Sequence, residues 1–380
     1  MSSQSQRIFG LDVVRAIAIL LVLISHSTIL IFPESNSNAV FAIQFFGTIG
    51  VDIFFVLSGY LIGRILLKQL QTQDFSFKNV LYFWIRRWFR TLPNYYLILI
   101  VNIIIYFVFF NEFAPRLVHY FAFLQNFNQA QPDFFTESWT LSIEEFAYIL
   151  GPLLLMNLFA ITKKKITKYQ FLGVVIVIIL LSTLNRFWFH ENAIEGMSWS
   201  NSLRKVVVYR IDSIYYGFIG AYLSLYAQHF WGAYKWTSFI FGALLFTVVH
   251  AVITIIGIRP SVESMFFNIM YLPLVSISIL LTFPVFSNWV KKPSWSKIIT
   301  NISQWSYALY LVNYSIILLS IQQIVKVEAQ NIVAKLLLLV LFWALSFFMA
   351  FLLYVYYEKP MMDLRDRPFF RKWSQFTKNT

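Results

Sequence analysis

The chain has 380 residues, 59% of them hydrophobic and only 12% charged, with a formal net charge of +13 at pH 7. A soluble domain is nearer about one quarter charged, so an ordinary water-soluble globule is excluded. With no cysteine, disulfides, thiolate nucleophiles and cysteine-type metal sites are excluded too, and the histidines show no HxxxH or HExxH spacing, so no metal site is expected.

Ten apolar runs predict ten transmembrane helices, at about 10–32, 41–66, 94–111, 140–160, 170–189, 209–228, 236–257, 265–284, 303–324 and 335–357. The fold class is therefore all-α, a polytopic membrane protein. Basic residues collect in alternate connections, as at Arg7, Lys68, Arg86, Lys163, Lys292 and beyond Lys359, while the other side holds scattered cations such as Arg116, Arg204, Lys205 and Arg259. This asymmetry places both the N- and C-termini in the cytoplasm. It also makes much of the basicity topological, so no nucleic-acid partner is expected. The forty-one Phe and twenty-one Tyr suit lipid contact and interfacial belts. One membrane domain is expected over 1–360, with a basic cytoplasmic tail at 361–380. The first apolar run is too long for a signal peptide and lacks a small-x-small cleavage site.

Ionisable groups inside a span cost about 2.5–3.5 kcal/mol at its centre, so they normally face a protein interior or a cavity. The first span carries two polar groups in "RAIAILLVLISH", Arg15 and His26. A helix turns about 100° and rises about 1.5 Å per residue, so eleven steps bring His26 back to within ~20° of Arg15, roughly 16 Å along the axis. Arg15 can snorkel to the interface or pair with Asp12, and His26 can be a neutral side chain bonded to backbone. The shared stripe also suits a long ligand gripped at Arg15 and worked on at His26 as general base.

In the second span, "GTIGVDIFFVLSGYLIG" supplies glycines for close helix packing, with Asp52 and Ser58 as polar groups able to line the same cavity. Ahead of the third, "FWIRRWFRTLPNYY" sets Arg86, Arg87 and Arg90 among aromatics. That pattern suits a positive-inside anchor, or an anion site with Arg87 and Arg90 on one helical face. The fourth span opens with "ESWTLSIEEFAY". Ser142 and Glu145 have capping-box spacing and Trp139 suits an interfacial belt, yet two adjacent carboxylates exceed what a cap needs. Glu144 and Glu145 lie at a depth similar to that of His26. One of them is expected to orient its ring and stabilise the imidazolium, and which of the two stays open.

Taken in order, these segments resemble the acyltransferase 3 family of membrane proteins. Arg15 and His26 in "GLDVVRAIAILLVLISH" match its Arg/Lys-x10-His motif, and Ser58, Gly59 and Tyr60 match its Ser-Gly-aromatic signature. Arg87 and Arg90 match its Arg-x-x-Arg motif. "WTLSIEEFAY" is similar to its Trp-Ser-Leu-Ser-Val-Glu-Glu block at Trp139, Ser142, Glu144, Glu145 and Tyr148, and "RIDSIYYGFIGA", "SYALYLVN" and "YYEKP" look like three later blocks. Two places depart: Asn313 stands where the family commonly has histidine, and Phe146-Ala147 replace Gln-Phe.

The resemblance implies a ten-helix acyltransferase moving an acyl group, most often acetyl, from cytoplasmic acyl-CoA to a hydroxyl of a sugar on a surface or lipid-linked glycan. No bound cofactor is implied, acyl-CoA being a substrate. On that expectation His26 is base or transient acyl carrier, with Glu144 or Glu145 and Arg15 beside it. Arg86, Arg87, Arg90 and Ser58 would line the donor site; Asp52, Trp139 and Tyr148 would face the acceptor. A bacterial cytoplasmic membrane location follows. The rival class is a glycan transporter or flippase, which could use the same intramembrane groups but often shows inverted repeats, and none is visible in the sequence.

Overall fold

The computed structural model describes residues 7–365 and 367, apart from 34, 36, 73–76, 164 and 257. The described residues form helices and connections, with no strand. Ten helices frame the molecule: α1 (Phe9–Ile31), α2 (Asn38–Thr72), α3 (Phe77–Phe110), α4 (Trp139–Thr162), α5 (Lys168–Asn192), α6 (Asp212–Tyr226), α7 (Lys235–Ile256), α8 (Leu272–Asn288), α9 (Ser296–Val312) and α10 (Ile332–Leu353). Nine spans among the described residues are long and apolar enough to cross a membrane. The sixth predicted span, 209–228, is the exception. It forms α6, only 15 residues, ten of them buried and none exposed, so it packs mainly against protein.

The other departure is α3. The sequence predicts a span from 94, but the helix begins at Phe77 and runs 34 residues, or about 51 Å. Hydropathy puts the arginine-rich lead outside the membrane, whereas partners on α4 let it continue as helix and carry Arg87 and Arg90 inward.

The bundle is organised around α1 and α2. α1 packs against α2, α8 and α9, and α2 packs on its other side against α6. Two glycine contacts make this possible. A Cβ on Gly50 would stand 2.5 Å from the Ala18 carbonyl oxygen, and one on Gly59 would stand 1.8 Å from that of Ile214. No larger residue fits either crossing, as expected of small residues at helix interfaces in membranes. At the periphery, α5, α7 and α10 expose Leu184, Ile255 and Leu337 among many large apolar side chains. Such continuous apolar surface belongs against lipid. Beyond the short helix Lys359–Arg365, the predicted basic tail lies outside the described residues, Arg367 apart.

Candidate active site

α1 contributes to two cavities. One, of about 100 Å³, is lined by Arg15, Ser58, Arg87, Arg90 and Glu144 among others; the second, of about 160 Å³, is lined by His26, Trp139, Glu137, Arg204 and Lys205. Val51 and Tyr310 line both and form the wall between them. The Arg15–His26 stripe thus connects two chambers rather than one.

In the arginine chamber, Arg15 donates to Ser303 Oγ (3.1 Å) and stands 3.5 Å from Asp12, which is gripped more tightly by Arg7 at 2.6 Å. Arg87 donates to Glu144 (3.2 Å) and to Tyr148 Oη (2.6 Å), and its guanidinium lies over the Tyr148 ring at 4.4 Å. Glu144 also accepts from Ser58 (2.9 Å) and Tyr148 (2.9 Å). Arg90 lines the same chamber and makes no hydrogen bond or ion pair to a described residue. Arg86 does not join it. One position from Arg87 is about 100° around the helix, and Arg86 is exposed, donating to Tyr82 Oη (2.9 Å).

The carboxylates expected beside His26 are elsewhere. Glu144 faces Arg87, and Glu145 accepts from Thr91 (2.9 Å) and Trp88 Nε1 (3.1 Å), bracing α4 on α3. Matching depth alone would set them at His26's level, but the faces of α4 that carry them look toward α3. The capping-box reading fails for a related reason: the helix begins at Trp139, so Ser142 lies inside it.

His26 instead meets Asn313, whose Oδ1 approaches His26 Nδ1 closely, and its ring leans on Tyr314 at 4.7 Å between centroids. The carboxylate in its chamber is Glu137, missed by the sequence reading because it precedes the apolar run. Phe135, at φ 42°, turns the chain into the short helix Thr136–Ser138 that holds it. Glu137 is 4% exposed; Oε1 accepts from Ser315 Oγ (2.6 Å) and the Ser315 amide (3.3 Å), while Oε2 has no partner among the described residues. Asn126 ties the walls together, donating to the carbonyls of Trp139 (3.0 Å) and Lys205 (2.6 Å). Arg204 lies over the Trp139 ring at 4.9 Å. Burial, aided by neighbouring Arg204, pushes the Lys205 ammonium down to about 8.

Asp52 lines neither chamber: it pairs with Arg210 in a buried salt bridge between α2 and the turn before α6. Tyr148 lies on the arginine side with Arg87, not with Trp139. No group of three or more metal-ligating residues occurs among the described residues.

The fold and its polar interior define a multi-pass membrane protein with a buried site built on its first two helices. Residues 8–361 match the acyltransferase domain, and the chain belongs to the acyltransferase 3 family. It is 34% identical over 166 residues to the peptidoglycan O-acetyltransferase OatA of Listeria monocytogenes serovar 1/2a, covering 39% of this chain and 24% of that protein. It is 33% identical over 165 residues to YrhL of Bacillus subtilis, provisionally named a peptidoglycan O-acetyltransferase, covering 39% and 23%. A provisionally named O-acetyltransferase of Staphylococcus aureus (strain COL) is 33% identical over 176 residues, covering 41% and 26%. The chain therefore spans about a quarter of the length of the curated relatives it matches. No solved structure matches at the significance these relatives reach.

Proposed function

We propose that this protein is a membrane O-acetyltransferase of the bacterial cytoplasmic membrane, moving an acetyl group from acetyl-CoA to a sugar hydroxyl of a cell-envelope glycan. The observation that carries this reading is the pair of chambers sharing Val51 and Tyr310, one cationic and one holding His26. Arginine forks hold phosphate through charge-assisted, bidentate hydrogen bonds. Arg90, which has no hydrogen-bonding partner among the described residues, and Arg15, held chiefly by one serine, supply donors for the charged end of the CoA. The roughly 16 Å from Arg15 to His26 is spanned by its flexible arm, so the thioester reaches the wall between the chambers. The acceptor enters the His26 chamber, where His26 takes its hydroxyl proton or carries the acyl group transiently. With the termini in the cytoplasm, the arginine chamber faces the donor's compartment.

The test is purified protein in liposomes with radiolabelled acetyl-CoA and a peptidoglycan fragment as acceptor. Label moves to the glycan, and His26→Ala lowers the rate by about 10²–10⁴-fold, the usual contribution of a positioned base. Movement of the glycan across the bilayer without labelling would overturn the reading in favour of a transporter. An acetylated His26 peptide recovered after a single turnover would select the two-step route.

A further inference from the structure

Asn313 follows α9 directly and opens a π-helical stretch, Asn313–Leu318. Its side chain is fully buried and its amide protons are both spent. Nδ2 donates to the Leu309 carbonyl (2.6 Å) and to the Tyr310 carbonyl (3.0 Å). An amide has two N–H donors on nitrogen and only acceptor capacity on oxygen, so these bonds fix which end faces His26. The oxygen, Oδ1, is the atom at His26 Nδ1. An acceptor can pair with a ring nitrogen only when that nitrogen carries the proton. His26 makes no other hydrogen bond to a described residue.

We propose that Asn313 fixes the tautomer of His26, keeping a proton on Nδ1 and leaving the Nε2 lone pair to do the chemistry. The inference rests on the reading of His26 as the base. In the step it implies, the acceptor's O–H proton passes to Nε2 as its oxygen bonds to the acyl carbon. The carbon–sulfur bond then breaks, the thiolate leaves with the electron pair, and it recovers the proton from Nε2–H. The Nδ1 proton stays on the ring throughout. A neutral amide orients the ring without supplying the charge that a carboxylate would offer the imidazolium. Histidine at this position could do the same two jobs, donating one N–H to the helix and accepting from His26 with its other nitrogen. Leucine, of similar size, can do neither.

The experiment uses the full chain in lipid nanodiscs with ¹⁵N-labelled histidine, the His26 signals being assigned by their loss in His26→Gln. Near neutral pH the wild-type protein shows a protonated Nδ1 and an unprotonated Nε2 on His26. Asn313→Leu changes that pattern and lowers kcat by about 10–100-fold with the donor KM unchanged, the scale typical of losing an orienting partner. Asn313→His restores both. A His26 protonated on Nε2 in the wild type would overturn the proposal, as would Asn313→Leu with wild-type tautomer and kcat. Should the leucine variant fail to fold, the wild-type spectrum and Asn313→His still decide it. Full transfer by His26→Gln would instead sink the base reading, a separate result from the tautomer measured on the wild-type ring.

Discussion

Asp52 and Arg210 meet where neither is exposed by more than 1%, and two nitrogens of Arg210 have no other described partner. Removing one member of such a pair leaves a charge stranded, at a cost of about 3–5 kcal/mol, whereas replacing both with apolar groups is often neutral. Asp52→Ala should therefore lower the thermal midpoint and yield of the purified protein while the surviving protein keeps its KM for both proposed substrates. Asp52→Leu with Arg210→Met should recover most of the midpoint. A raised acceptor KM at an unchanged midpoint would return Asp52 to the site. Hydropathy tells how deep a residue lies but not which way it faces. That is why the sequence grouped Asp52, Glu144 and Glu145 with His26. Within one helix both coordinates follow from the spacing, and the Arg15–His26 stripe was legible for that reason. Glu137 depends on the turn at Phe135 and on Ser315, far away in sequence, so no periodicity announced it.

At the scale of elements, α1 and α2 act as a unit. Gly50 lets α2 close on α1 at Ala18, and the next residue, Val51, then stands in the wall shared by the two chambers. One position further along, Asp52 points toward Arg210 instead. The apolar spans were readable because lipid demands long apolar runs. The inward run of α3 was not, since ion pairing to α4 rather than hydropathy keeps Arg87 inside. If the acyl group crosses between the chambers at Val51, a bulkier side chain there blocks it. Val51→Trp should bind acetyl-CoA as the wild type does yet transfer about a hundredfold more slowly, the scale of a misplaced reacting group. Val51→Ala, which opens the wall, keeps the transfer. Overpacking costs about 1–3 kcal/mol, so the melting curve of Val51→Trp is read alongside. Wild-type transfer by Val51→Trp would mean that the chambers do not communicate there.

For the whole molecule, the decisive property is which chamber faces which compartment. Trp289, just after α8, accepts from the Gly10 amide, so the α8–α9 connection lies at the Arg15 end of α1. The connection between α3 and α4 leads into Glu137 and lies at the His26 end. On the charge asymmetry, the proposed orientation has the first in the cytoplasm and the second outside. A chain with no cysteine is suited to mapping this, because each introduced thiol is the only one present. Lys292 and Glu112 are exposed, one in each connection. Glu112→Cys should react with a membrane-impermeant maleimide in intact cells, and Lys292→Cys only after permeabilisation. The opposite pattern would leave the fold and the family untouched. It would turn the arginine chamber away from the cytoplasm, where acyl-CoA is made, and so remove the physical basis for acyl-CoA as donor. The orientation of two loops thus tests the substrate assignment more directly than any substitution in the chambers.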